Sequence, residues 1–194
     1  MLRIKFGNHK LGDDTGIFNM GSASTCPSKL LGLCEVVNKG IKCYAEKPEQ
    51  QYPNTVPAYR NAQEAYWKNT DAARILSEIY ERIQARRKQT RFIRYNESGD
   101  FFSQDDVRKL SYIAEGLRTL GIITYGYTAR KDLDFRNAKF LVKGSENAAG
   151  NNGTCTVIGK GDEAPDGYII CPGSCKHCNL CKIDRGHNIA FRRH

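Results

Sequence analysis

The chain has 194 residues, 40% of them hydrophobic and 26% charged, with 30 Lys and Arg against 21 Asp and Glu for a formal charge of +9. That length suits one domain with at most a small appendage, folding without disulfides, and the composition excludes disordered, collagen-like and coiled-coil chains. No apolar run nears the roughly 18 residues of a membrane helix and the first residues lack a signal-peptide stretch, so a cytoplasmic protein with reduced thiols is expected. The positive balance favours an anionic partner, nucleic acid among them, although cations spread along the chain also suit a merely soluble surface.

In chain order, Leu2-Arg-Ile-Lys-Phe6 and Gly16-Ile-Phe-Asn-Met20 read as short strands, followed by a long cysteine-bearing loop. From Thr55 to Arg87 the pattern turns helical in two pieces, with Ile75, Leu76, Ile79 and Ile83 on one face after the N-cap candidates Thr70 and Asp71. Arg91–Asn96 is expected as a strand. Ser103-Gln-Asp-Asp106 opens a helix whose Val107, Leu110, Ala114 and Leu117 share a face before Gly121 ends it, and Ile122–Thr128 follows as another strand. This rhythm is that of parallel βαβ units, whose ligands gather at the carboxyl ends of the strands. Ala138–Val142, Thr154–Ile158 and Tyr168–Cys171 are further short strand candidates. The expected architecture is α/β: a partial (β/α) barrel or open parallel sheet over residues 1–143, with a Cys-rich, metal-stapled lobe over 144–194 packed on it.

Eight cysteines in a reducing compartment point to metal or redox chemistry. Four fall within eleven residues: Cys171, Cys175, Cys178 and Cys181. So crowded a run suits a [4Fe–4S] cluster better than zinc, which usually draws two separated Cys pairs, but zinc stays open as the alternative metal. The segment from Cys171 has too little apolar mass to organise itself, and a metal would supply the organisation. Either Cys155 or Cys171 could complete that set. Cys26, Cys34 and Cys43 are more loosely spaced, so burial as small apolar side chains competes with ligation. They nevertheless share one loop between a strand and a helical region, where three thiolates would hold a cluster and leave one iron open.

The motifs Cys26…Cys34…Cys43-Tyr44-Ala45, Ser98-Gly99-Asp100-Phe101-Phe102-Ser103 after a strand, Tyr125-Gly-Tyr-Thr128 and the Cys-rich end resemble the phage-encoded gene product 88-like family. That family is similar to the radical S-adenosylmethionine proteins, partial (β/α) barrels with a three-cysteine loop after the first strand and a Gly-Gly-Glu-like motif after the second. The resemblance implies a [4Fe–4S] cluster on Cys26, Cys34 and Cys43 that would bind S-adenosylmethionine at its open iron. It also implies Ser98, Gly99 and Asp100 as the cofactor contact, with Asp100 accepting from an ammonium group. The family's CxxxCxxC spacing occurs here at Cys171, Cys175 and Cys178, so the C-terminal set reads as structural or auxiliary. One or two clusters are therefore expected, in a phage protein of the host cytoplasm, with the substrate undefined. The rival reading is a metal-stapled module, with iron–sulfur or zinc, that binds nucleic acid or senses redox state.

Several other residues carry two readings. Glu97, Ser98 and Asp100 also suit a turn and helix start. Tyr125 and Tyr127 alternate with Gly126 and so face one side, as core or groove wall. Arg86, Arg87, Lys88, Arg91 and Arg94 form a basic run at a helix end and the next strand, as helix-dipole partners or a phosphate track.

Overall fold

In a computed structural model, residues 2–183 and 185–193 are described. Two strands, β1 (Lys5–Phe6) and β2 (Thr15–Phe18), lead into a loop carrying three one-turn to two-turn helices, α1 (Pro27–Leu30), α2 (Glu35–Asn38) and α3 (Glu46–Gln51). Two longer helices follow, α4 (Val56–Asn69) and α5 (Ala72–Gln84), then β3 (Phe92–Tyr95), α6 (Gln104–Arg118) and β4 (Ile123–Thr128). The chain completes its sheet with β5 (Leu141–Ser145), β6 (Thr154–Ile158), β7 (Tyr168–Ile170) and β8 (Asn188–Arg192).

The caps explain where the long helices begin. Asp71 accepts from the Arg74 N–H at 2.9 Å to start α5, and Ser103 with Asp106 forms a reciprocal capping box at α6. After α6 the backbone reverses at Gly121, whose φ of +72° is one that L side chains avoid.

All eight strands join one sheet in the order β1-β2-β3-β4-β5-β6-β8-β7, parallel except for the β1–β2 pair. The sheet is open, ending on β1 and β7. Register sorts its residues onto two faces. Phe18, Ile93, Tyr95 and Val142 meet Trp67 of α4, Ile75 and Ile79 of α5, and Leu110, Ile113 and Leu117 of α6, which together make the hydrophobic core. Phe92, Arg94, Tyr125, Tyr127, Lys143, Cys155 and Phe191 stand on the other face. No long helix covers that side. It is covered instead by the 171–187 connection between β7 and β8, anchored by the Cys175 N–H on Lys10 O at 2.9 Å and by Lys182 Nζ 4.5 Å above the Phe92 ring.

Three differences from the sequence reading have local causes. The strand expected from Ala138 starts at Leu141, because the Asn151 amide donates to the Phe140 and Ala138 carbonyls and accepts from Val142 N–H. Of Leu2–Phe6 only Lys5–Phe6 pairs. β8 was not anticipated, since its five residues lie beyond the cysteine run. The expected division at residue 143 falls inside β5, so β6, β8 and β7 extend the same sheet. Among the described residues no helix is long and apolar enough to cross a membrane.

Candidate cysteine sites on the sheet

The loop between β2 and α4 leaves the carboxyl end of β2, beside the carboxyl end of β3. Cys26 and Cys34 occupy the N-cap positions of α1 and α2, and Cys43 lies just ahead of α3. Backbone N–H groups lie near each sulfur, those of Lys29 and Ser28 by Cys26, Val37 and Val36 by Cys34, and Ala45 by Cys43, without a side-chain cap bond at Cys26 or Cys34. These donors favour the thiolate, but burial outweighs them and raises all three thiols, Cys26 to about 12. Each sulfur also lies within electrostatic reach of another loop cysteine or of the Asp100 carboxylate.

The 98–100 turn holds this loop in place. Asn19 Oδ1 accepts from Ser98 N–H at 3.0 Å, and Ser98 Oγ donates to Gly21 O at 2.8 Å. Gly99, at φ +79°, packs so closely that a Cβ there would stand 2.6 Å from the Gly21 nitrogen. Asp100 is buried and accepts from Ser28 Oγ at 2.7 Å, Thr128 Oγ1 at 2.8 Å, and the Ala129 and Phe101 N–H groups at 2.9 Å each. Those four donors fill the four lone-pair positions of an ionised carboxylate. Burial pushes the Asp100 pKa up while the four donors hold it down, with a net rise. Asp100 thus ties α1 to the end of β4. Further ties come from Lys39 to Glu146 at 2.9 Å, Lys131 to Glu35 at 2.9 Å, and Arg60 to Glu49 at 2.6 Å.

On the sheet face below, Cys171, Cys175, Cys178 and Cys181 line one small cavity closed by Tyr125 and Tyr127. The Tyr127 hydroxyl lies close enough to Cys181 to favour that thiolate, although burial raises the thiol overall. Cys155, on β6, is buried with its pKa pushed up to about 12, and faces Cys181 and Lys143 without lining the cavity. Cys171, by contrast, lines it with the other three. Among the described residues no three or more His, Cys, Asp or Glu side chains are gathered so as to hold a single metal ion.

Arg94, read from the sequence only as one member of a basic run, stands half-buried on β3 with its guanidinium 5.2 Å from the centre of the Tyr127 ring, and two further residues escaped sequence reasoning as site residues. Asn96, at the carboxyl end of β3, has φ +54° and is 4% exposed, with both amide atoms sealed and unpartnered. Tyr44 donates its hydroxyl to the Glu97 carbonyl while its ring stays exposed. A strained, unsatisfied polar residue at a strand's carboxyl end is a mark of function rather than stability. The rest of the basic run is largely engaged locally. Arg86 stacks on Phe6 at 3.7 Å and donates to Asp13 O, and Lys88 pairs with Asp13 at 2.6 Å.

No curated protein and no solved structure matches the chain. The family model for gene product 88 matches residues 3–166, a span that includes Cys26, Cys34, Cys43, the 98–100 turn and Cys155 and stops before Cys171. The match covers β1 to β6 and the cysteine loop and leaves out β7 and β8, and on it the chain belongs to the gene product 88 family.

Proposed function

We propose that this is an iron–sulfur protein in which Cys26, Cys34 and Cys43 hold one cluster by three thiolates and leave a fourth position open to a small molecule. In this it resembles a minimal radical S-adenosylmethionine protein. The observation that carries the reading is the placement of Cys26 and Cys34 at the N-caps of α1 and α2 and of Cys43 just ahead of α3, in one loop at the carboxyl ends of parallel strands and with backbone donors nearby. Such donors stabilise thiolates and tune a cluster's potential. The donor set fits: three soft sulfurs and no fourth cysteine or histidine in the loop.

When bound, the cluster would supply one-electron chemistry. The chain's own residues do the rest. Lys29, within electrostatic reach of Cys43 and Cys26 and paired with Glu46 at 2.5 Å, offsets the thiolate charge. Asp100, Ser98 and Gly99 position the loop, and with its lone pairs filled Asp100 acts through Ser28 rather than as a ligand. The four cavity cysteines would form a second, closed set shielded by Tyr125 and Tyr127.

Anaerobic purification followed by an absorption spectrum and counts of iron, acid-labile sulfide and zinc tests the proposal. A brown protein is expected, with about four irons per cluster, and Cys34→Ser should remove one cluster's complement. A colourless protein carrying zinc alone overturns the iron–sulfur reading. S-adenosylmethionine should alter the paramagnetic resonance of the reduced wild type; an unchanged signal overturns the open-site assignment.

A further inference from the structure

The buried cations of this fold each have a partner, and the half-buried Arg94 stands in contrast to them. Arg60, 5% exposed, holds Glu49 and the Ala45 carbonyl; Arg130, 4% exposed, holds Asp132 at 2.7 Å. Lys143 donates to the Asn152 and His187 carbonyls, and Lys182 to that of Cys175. Arg94 has none of this. Its Nε is sealed from solvent without an acceptor, and among the described residues it enters no ion pair. The Glu97 carboxylate acts on it from beyond ion-pair distance and accepts from Asn8 Nδ2 at 2.8 Å, and the Cys175 thiol lies within its electrostatic reach.

Two unsatisfied neighbours stand with it. Tyr125, its register partner on β4, has a sealed hydroxyl with no hydrogen bond, and Asn96, two residues along β3, has an amide with none. The Tyr127 ring lies 5.2 Å from the guanidinium carbon, a cation–π contact that leaves the N–H donors without an acceptor among the described residues. Leaving a charge and two polar groups unpaired is costly, and such a cost persists where a ligand repays it. A guanidinium is the side chain whose fork matches an oxyanion in two parallel hydrogen bonds.

We propose that Arg94, with Tyr125 and Asn96, forms an oxyanion subsite on the sheet face between the two cysteine sets, taking the carboxylate or phosphate group of a small-molecule ligand. The assignment goes beyond the iron–sulfur reading and does not depend on it.

Calorimetric titration of the whole chain, isolated anaerobically, with inorganic phosphate and separately with acetate, tests this against chloride at matched ionic strength. Saturable one-to-one binding of at least one probe is expected, and the tighter probe identifies the group. Arg94→Met should weaken it tenfold or more, and Arg94→Lys, which keeps charge but loses the fork, by less. Arg91→Met removes the same charge from the exposed start of the same strand and should change nothing. Absence of saturable binding, or equal loss in the Arg91 and Arg94 variants, overturns the subsite. Should Arg94→Met fail to fold by circular dichroism, Tyr125→Phe takes its place, expected to weaken binding several-fold; unchanged affinity in both Tyr125→Phe and Arg94→Lys then overturns it. Lowered iron content in Arg94→Met with anion binding intact also overturns it, assigning Arg94 as countercharge to the thiolates and leaving the cluster proposal standing.

Discussion

The two faces of the sheet are built on opposite principles. The helix-covered face closes on apolar side chains: Phe18, Ile93, Tyr95 and Val142 against Trp67, Leu110 and Ile113, all within 1% exposure. The other face carries Arg94, Tyr125, Tyr127, Lys143 and Cys155 beneath a connection rich in cysteine. Apolar burial is non-directional and tolerant, so the first face supplies stability. Polar burial demands a partner for each group, and both faces hold sealed groups without one: Tyr95 and Thr124 hydroxyls on the first face, the Tyr125 hydroxyl and the Arg94 Nε on the second. The difference that teaches where to look for chemistry is charge, since on the second face the unpartnered set includes a guanidinium.

The sharpest way to break this contrast is on the apolar side. Trp67→Ala should cost about 3–5 kcal/mol in denaturant unfolding, because it opens a cavity beside Phe18 and Tyr95 and strands the Asp106 acceptor that its Nε1 meets at 2.7 Å. A loss below about 1 kcal/mol would deny that this face carries the stability. Next comes the hub between the faces. Asp100→Ala leaves Ser28, Thr128 and two backbone donors without an acceptor, and a loss of about 3 kcal/mol is expected by the same measurement. Exposed Asp134→Ala, removing only a surface pair with Arg136, should leave the unfolding midpoint unchanged.

Gly99→Ala should cost about 1–3 kcal/mol, since it combines an unfavourable φ with a backbone clash at Gly21. Its distinguishing sign is reduced protection of the 19–26 amides in hydrogen exchange before any global melting. The smallest effect is the pH dependence. Burial holds the Asp100 proton more tightly in the folded state than in the unfolded one. Its contribution is therefore full below the unfolded pKa and is lost as pH rises through the folded value. The stability of wild type relative to Asp100→Asn should accordingly grow as pH is lowered; a flat difference breaks the assignment. Asp134, held down to about 2 by Arg136, runs the other way, contributing above its unfolded value of 3.8 and fading as pH falls toward 2.

How much of this was legible depends on distance along the chain. β3, α6 and β4 could be read from periodicity and caps because their determinants are local, as in Ser103 with Asp106 or Gly121 after α6. The cysteine loop could be placed, since a strand precedes it and a helix follows. The partners of Asp100 could not, because Ser28 lies 72 residues before it and Thr128 28 residues after it. Nor could the isolation of Arg94 be seen: a basic run gives no hint of which members find carboxylates and which do not. The helices α1 to α3 went unread because each is too short to show a period.

One feature bears on the order of assembly. β7 pairs only with β8, and β8 is the strand that joins it to β6, so β7 has no place on the sheet until the last strand is present. During synthesis the chain through β6 can complete its pairing while Cys171, Cys175, Cys178 and Cys181 remain on an untethered segment. Their cavity, whose walls are Tyr125 and Tyr127 on one side and this segment on the other, closes only when residues 188–192 insert between two strands already made. The four thiols are therefore on an untethered segment when they are new and half-buried against the sheet when it is finished, which makes β8 the strand that brings them together.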